Sequence, residues 1–181
     1  GTYMIASAIT GGDVKIINCL PKQVEALTLK LRQAGVIVEE AETSLRVISG
    51  GPLKGVNIKT QPHPGFATDL QAQFMALMTL ARGQSIILET IFENRFMHAA
   101  ELNRMGANIT LQGHTAVVSG VKELSGASLM ATDLRASASL VLAALAAEGE
   151  SVISRVYHID RGYSNIEKKL YRLGAKIRRK K

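Results

Sequence analysis

The strongest constraint on this sequence is that it repeats itself. Gly12, Gly83 and Gly149 each follow a helix-like stretch and precede a β-type run: DVKII, QSIIL and ESVIS. Gly35, Gly106 and Gly174 come 23, 23 and 25 residues later, in the contexts LRQAGVIV, LNRMGANI and LYRLGAKI. A strand, a loop, an amphipathic helix closed by glycine and a further strand therefore occur three times, the mark of a repeated supersecondary unit. A single domain spanning residues 1–181, with quasi-threefold internal symmetry, is expected.

The second and third units match further. ATDLQAQFMALMTLARG and ATDLRASASLVLAALAAEG both set Thr-Asp-Leu-x-Ala at the head of a long apolar stretch. Helices are predicted over 70–81 and 134–147, apolar on nearly every face, so they belong between sheets rather than on the outside. The fold class that follows is α/β, an inside-out prism of three repeated units with helices inside and sheets outside. Thr68 and Thr132 read as N-caps, which sets Asp69 and Asp133 in the first helical turn, where the dipole favours a carboxylate. From this pattern alone the two aspartates either stabilise helix starts or take part in chemistry.

Arg95 stands 12 residues after Gly83 and Arg161 stands 12 after Gly149. If the units are related by rotation, Asp69, Arg95, Asp133, Arg135 and Arg161 gather at one end of the domain. Arginine forks beside exposed helix N-termini suit phosphate and carboxylate groups, so an anionic ligand is expected there. Surface ion pairs are the plainer alternative.

Composition narrows the field. An apolar share of 46% rules out a disordered chain, and the lone thiol, Cys19, rules out an internal disulfide and reads as a small buried hydrophobe. The longest apolar run, 140–147, is far short of a membrane span, and the first residues lack a signal pattern, so a cytoplasmic address and no membrane partner are expected. The net charge of +7 comes from eight cations after position 167, while residues 1–167 balance to −1. With only Tyr171 as an aromatic in that tail, no nucleic-acid partner is expected. No Walker loop, GxGxxG or GxSxG is present, and His63, His98, His114 and His158 lack zinc-ligand spacing. Of these, His63 and His158 flank the proposed site segments.

Four long segments also carry a resemblance: KTQPHPGFATDLQAQFMAL, ETIFENRFMHAAELNRMGANI, LSGASLMATDLRASASLVLAALAAEGE and YHIDRGYSNIEKKLYRLGAKI. In order and content they resemble the C-terminal half of the UDP-N-acetylglucosamine 1-carboxyvinyltransferases, within the enolpyruvyl transferase family. The resemblance runs from GTYMIASAITGGDV to the end of the chain, and the shikimate-pathway branch resembles these segments much less.

The resemblance implies transfer of enolpyruvate from phosphoenolpyruvate to the 3-hydroxyl of UDP-N-acetylglucosamine, the committed step towards peptidoglycan, without metal or organic cofactor. It implies Asp69 as general base against the sugar hydroxyl, Arg161 as the clamp on phosphoenolpyruvate, and Arg135 and Asp133 close to the reacting centre. Arg95 and the backbone around Ile91 match positions lining the nucleotide-sugar side. Ala67 departs from the family's usual proline. The family's reactive cysteine, its catalytic lysine and its first domain have no counterpart here. The expectation is an isolated C-terminal domain, silent by itself and sharing its substrates with a missing N-terminal domain; the alternative is a free-standing binding module of the same fold.

Overall fold

The computed structural model describes residues 1–180. The first unit runs through α1 (Thr2–Ile9), β1 (Asp13–Ile17), α2 (Glu25–Gln33), β2 (Ile37–Ala41) and β3 (Ser44–Ile48). The second comprises β4 (Ile58–Lys59), α3 (Gln71–Met78), β5 (Gln84–Leu88), α4 (Met97–Arg104), β6 (Asn108–Gln112) and β7 (Thr115–Ser119). The third comprises β8 (Ser128–Met130), α5 (Leu134–Ala146), β9 (Val152–Ser154), α6 (Tyr157–Asp160) and α7 (Ile166–Arg172).

Helices α1, α3 and α5 pack on one another at the centre. Every residue of α3 is buried, and so are Ala136 to Ala143 of α5 and seven of the eight residues of α1. A helix with no polar face has to be covered all round, so the sheets lie outside it. Gln73, buried in the same centre, donates from Nε2 to Thr2 Oγ1 and Tyr163 Oη, at 3.4 Å each. That amide ties α1, α3 and the segment after α6 together.

The repeat is carried by matching ladders. Sheet orders are β1-β3-β2 and β4-β5-β7-β6, and in each the second strand of the hairpin inserts between the first and the strand before the hairpin. Register agrees pair for pair, from Asp13↔Ile48 to Ile17↔Ser44 and from Gln84↔Ser119 to Leu88↔Thr115. Parallel pairing recurs as β4 on β5 and β8 on β9.

Each outer helix buries one stripe and stops at the same device. Gly35, Gly106 and Gly174 take φ of +94°, +91° and +98°, and the next residue's N–H returns to the carbonyl of Leu31, Leu102 or Leu170 at 3.0, 3.1 and 3.1 Å. A side chain in that left-handed position is strained, which is why glycine marks every unit.

After the inner helices Gly11, Gly83 and Gly149 take φ of +68°, +91° and +87°. Three expectations need correction. The helix predicted over 70–81 is shorter: Thr68–Leu70 is a 3-10 turn, and after Met78 the N–H groups of Leu80 and Ala81 reach back only three residues. The third unit has no strand after Gly174 among the described residues: there the Ile177 N–H turns back to the Ala175 carbonyl at 3.1 Å instead of joining a ladder. Cys19 is half-buried rather than buried, with Sγ donating to the Ile16 carbonyl at 3.6 Å.

No helix among the described residues is long and apolar enough to cross a membrane.

Candidate active site

The heads of α3 and α5 come together through one ion pair. Asp69 lies in the 3-10 turn before α3, and its Oδ1 accepts from Arg135 Nε at 2.7 Å and from Nη2 at 2.6 Å. Arg135 belongs to the first turn of α5, so the pair joins the second unit to the third. The Asp69 side chain is 61% exposed, and the contacts to Arg135 use Oδ1 alone.

The two symmetry-related aspartates do different things. Asp133 is the N-cap of α5: its extended backbone lets Oδ1 accept from the N–H groups of Arg135 and Ala136, at 2.8 and 3.0 Å. Asp69 caps nothing; the residue before α3 is Leu70, without a side-chain cap. Thr68 and Thr132, read from the sequence as caps, are not caps either. The Thr68 hydroxyl donates to Glu89 at 2.8 Å, and Thr132 Oγ1 is buried without a partner. The cap is thus supplied by Asp133, one residue after Thr132, whose single Oδ1 takes both N–H groups.

Arg161 follows α6 as its C-cap, is exposed, and makes none of the ion pairs found among the described residues. The adjoining Gly162 sits against Leu134, the first residue of α5; a Cβ there would lie 2.8 Å from Leu134 Cδ2. Arg161 is thereby carried next to the start of α5 with its fork unpaired. Neighbouring Asp160 is occupied by Arg179, at 2.7 Å.

Arg95 takes part in none of these contacts. Its guanidinium lies 4.2 Å from the centre of the Phe92 ring, in a turn opened by Asn94 at φ +54°. A cavity of about 530 Å³ lies beside it, lined among others by Phe92, Met97, Leu111 and His114. The structure thus joins Asp69 to Arg135, sets Asp133 and Arg161 at the same helix head, and leaves Arg95 and Ile91 on an adjoining loop. Of the flanking histidines, His63 is exposed and His158 stacks on Tyr157 with ring centres 4.3 Å apart.

Sequence reasoning missed Glu89. Ser85, Ile87 and Glu89 are all buried at period two, so Glu89 lies on the inward face of the β5 line as its one charged residue. That charge at an inward position was a readable signal. Its carboxylate accepts from Thr60, Thr68 and the backbone of Ile91 and Phe92.

His98 is the second omission. It lies fully buried on α4 against the head of α5, with Nε2 unpaired rather than hydrogen-bonded. Burial pushes its pKa down to about 4, with the Asp133 charge pulling weakly the other way. An unfolded histidine titrates near 6.5, so between pH 6.5 and 4 the unfolded chain holds the extra proton. Stability is therefore complete above about pH 6.5 and falls as pH drops through that window. We expect a loss of about 2 kcal/mol from this group between pH 7 and pH 5, read by urea denaturation. In His98→Asn the pH dependence flattens by that amount; equal slopes in parent and variant would show that the imidazole is not excluded from protonation.

Buried helices within and sheets without make this an inside-out α/β domain, with acidic and cationic side chains at the heads of its inner helices. The profile of the EPSP synthase family, described as 3-phosphoshikimate 1-carboxyvinyltransferase, matches residues 1–170, and the chain belongs to that family. Curated relatives carry the name UDP-N-acetylglucosamine 1-carboxyvinyltransferase. That of Solibacter usitatus is 60% identical over 180 residues, covering 99% of this chain and 43% of the relative. That of Geobacter metallireducens is 59% identical over 181 residues, covering 100% and 43%. The chain thus spans under half the length of these relatives. Among solved structures, the enolpyruvyl transferase NikO from Streptomyces tendae superposes with a TM-score of 0.89 at 28% identity, over 98% of this chain and 42% of its own. EPSP synthase from Acinetobacter baumannii, at 17% identity and TM-score 0.64, shares the fold.

Proposed function

We propose that this chain is the C-terminal domain of a UDP-N-acetylglucosamine 1-carboxyvinyltransferase, acting in the cytoplasm on the first committed step of peptidoglycan synthesis. The observation that carries this reading is the 60% identity to curated relatives of that name across 99% of the chain. In the proposed reaction a proton adds to the phosphoenolpyruvate methylene and the sugar 3-oxygen bonds to the neighbouring carbon. The tetrahedral adduct then loses a proton and phosphate to leave the enolpyruvyl ether.

Asp69 takes the hydroxyl proton. Its Oδ1 is fixed by Arg135, so the carboxylate is oriented while Oδ2 keeps its lone pairs for the substrate. Arg161, unpaired at the head of α5, receives the phosphoenolpyruvate anion, and Arg135 stands between that anion and the base. Asp133 holds α5 in place by capping it, so that Arg135 starts from a fixed backbone. Arg95 and the backbone of Ile91 line the nucleotide-sugar side. No step calls on a metal, an organic cofactor, a nucleic acid or a membrane; the two substrates are shared with the part of the protein beyond this domain.

The test is the Arg161→Lys variant of the full-length protein, assayed by phosphate release from phosphoenolpyruvate and UDP-N-acetylglucosamine. Lysine keeps the charge and loses the planar fork. We expect KM for phosphoenolpyruvate to rise by about tenfold, with the nucleotide-sugar KM within about twofold. Parental kinetics in this variant would remove Arg161 from the anion site.

A further inference from the structure

We propose that Glu89 is a positioning residue that fastens the loop carrying Asp69 to the loop carrying Ile91 and Arg95, setting base and nucleotide-sugar contacts at a fixed separation. The inference rests on the reading of Asp69 as the base. Glu89 is 1% exposed and makes none of the ion pairs found among the described residues. Its charge is met by four donors drawn from three segments. Oε1 accepts from the Thr60 hydroxyl at 2.8 Å, from Ile91 N–H at 2.9 Å and from Phe92 N–H at 3.3 Å; Oε2 accepts from the Thr68 hydroxyl at 2.8 Å.

The surroundings hold this carboxylate in one place. Its own N–H donates to the His114 carbonyl at 2.9 Å. Thr60 is fixed in turn, since Thr90 N–H donates to Thr60 Oγ1 at 2.8 Å and Thr90 Oγ1 donates to the Thr60 carbonyl at 2.5 Å. One oxygen therefore turns the chain after β5 so that Ile91 follows in a set direction, and the other reaches the residue immediately before Asp69. Burying a carboxylate without a cation is costly, and an apolar residue continuing the Ser85–Ile87 face would fill the same position without that cost. The geometry accounts for the carboxylate: only a group with two oxygens can gather donors from both loops at once.

Thr68→Val separates this role from simple stabilisation, because it deletes only the Oε2 arm and keeps the side chain's shape. In the full-length protein we expect kcat to fall by about tenfold while KM for UDP-N-acetylglucosamine stays within about twofold, since a small misplacement of a catalytic group acts on the chemical step. Thr68→Ser, which restores the hydroxyl, should recover at least about half of the parental kcat. In an Asp69→Asn background Thr68→Val should add less than about twofold, because the hydroxyl acts through that carboxylate. Glu89→Gln should lower kcat at least as far as Thr68→Val; if that variant fails to fold, the threonine series decides alone. Unchanged kcat in Thr68→Val, or an equal loss in both backgrounds, would overturn the positioning role while leaving Asp69 as base. Normal turnover in Asp69→Asn alone would overturn the base, and this inference with it.

Discussion

Asp69→Asn in the full-length protein should lower turnover by about 10²–10⁴-fold while nucleotide-sugar affinity stays within about threefold. The size of this effect follows from what Asp69 does not do. It caps no helix, since α3 begins after Leu70 without a side-chain cap, and its side chain is 61% exposed. Its ion pair with Arg135 is an exposed pair of a kind worth about 0–1 kcal/mol. Asparagine still offers Arg135 an oxygen, so the fold has little to lose. A large loss of turnover with an unchanged melting temperature can then come only from the missing proton acceptor. Asp133 provides the contrast: replacing it with alanine removes two N-terminal hydrogen bonds from α5 and should cost about 1 kcal/mol of stability, whatever it does to the chemistry. Turnover within about threefold of the parent in Asp69→Asn, below 1 kcal/mol at the barrier, would remove Asp69 from the role of base.

The sequence carried the repeat because glycine at positive φ is a local requirement, readable one residue at a time. Gly35, Gly106 and Gly174 close their helices in the same way, and the inner helices are legible because α3 has no polar face to orient. What it did not carry was the division of labour between equivalent positions. TDLQA and TDLRA look alike, yet one aspartate caps and the other meets an arginine, because Thr68 has Glu89 beneath it and Thr132 has no partner. Those differences lie in long-range partners, which spacing does not encode. The absent strand after Gly174 has the same origin: GAKI has the local character of GANI, but where GANI pairs with β7, the Ile177 N–H turns back to the Ala175 carbonyl. Arg95 shows the limit of symmetry. Its spacing matches that of Arg161, but its guanidinium lies over the Phe92 ring, whereas Gly162, next to Arg161, sits against Leu134.

The 181 residues alone, supplied with both substrates, should release phosphate at least about 10³-fold more slowly than the full-length protein. Electrostatic stabilisation of a transition state is strong where water is excluded and the dipoles are fixed beforehand. Here the proposed base is 61% exposed, Arg135 is 37% exposed in its side chain, and Arg161 lies free at the surface. One face of charged groups open to solvent can bind an anion weakly, but it cannot enclose two substrates or hold the reacting carbon within bonding distance of the sugar oxygen. Fixing that geometry is worth about 7–11 kcal/mol in favourable cases, and a single open face supplies little of it. Weak binding of phosphoenolpyruvate to the isolated chain, lost in Arg161→Lys, is compatible with this division. Phosphate release by the isolated chain within about tenfold of the full-length rate would show that the groups on this face suffice, and that enclosure by the remainder of the protein adds nothing to the chemistry.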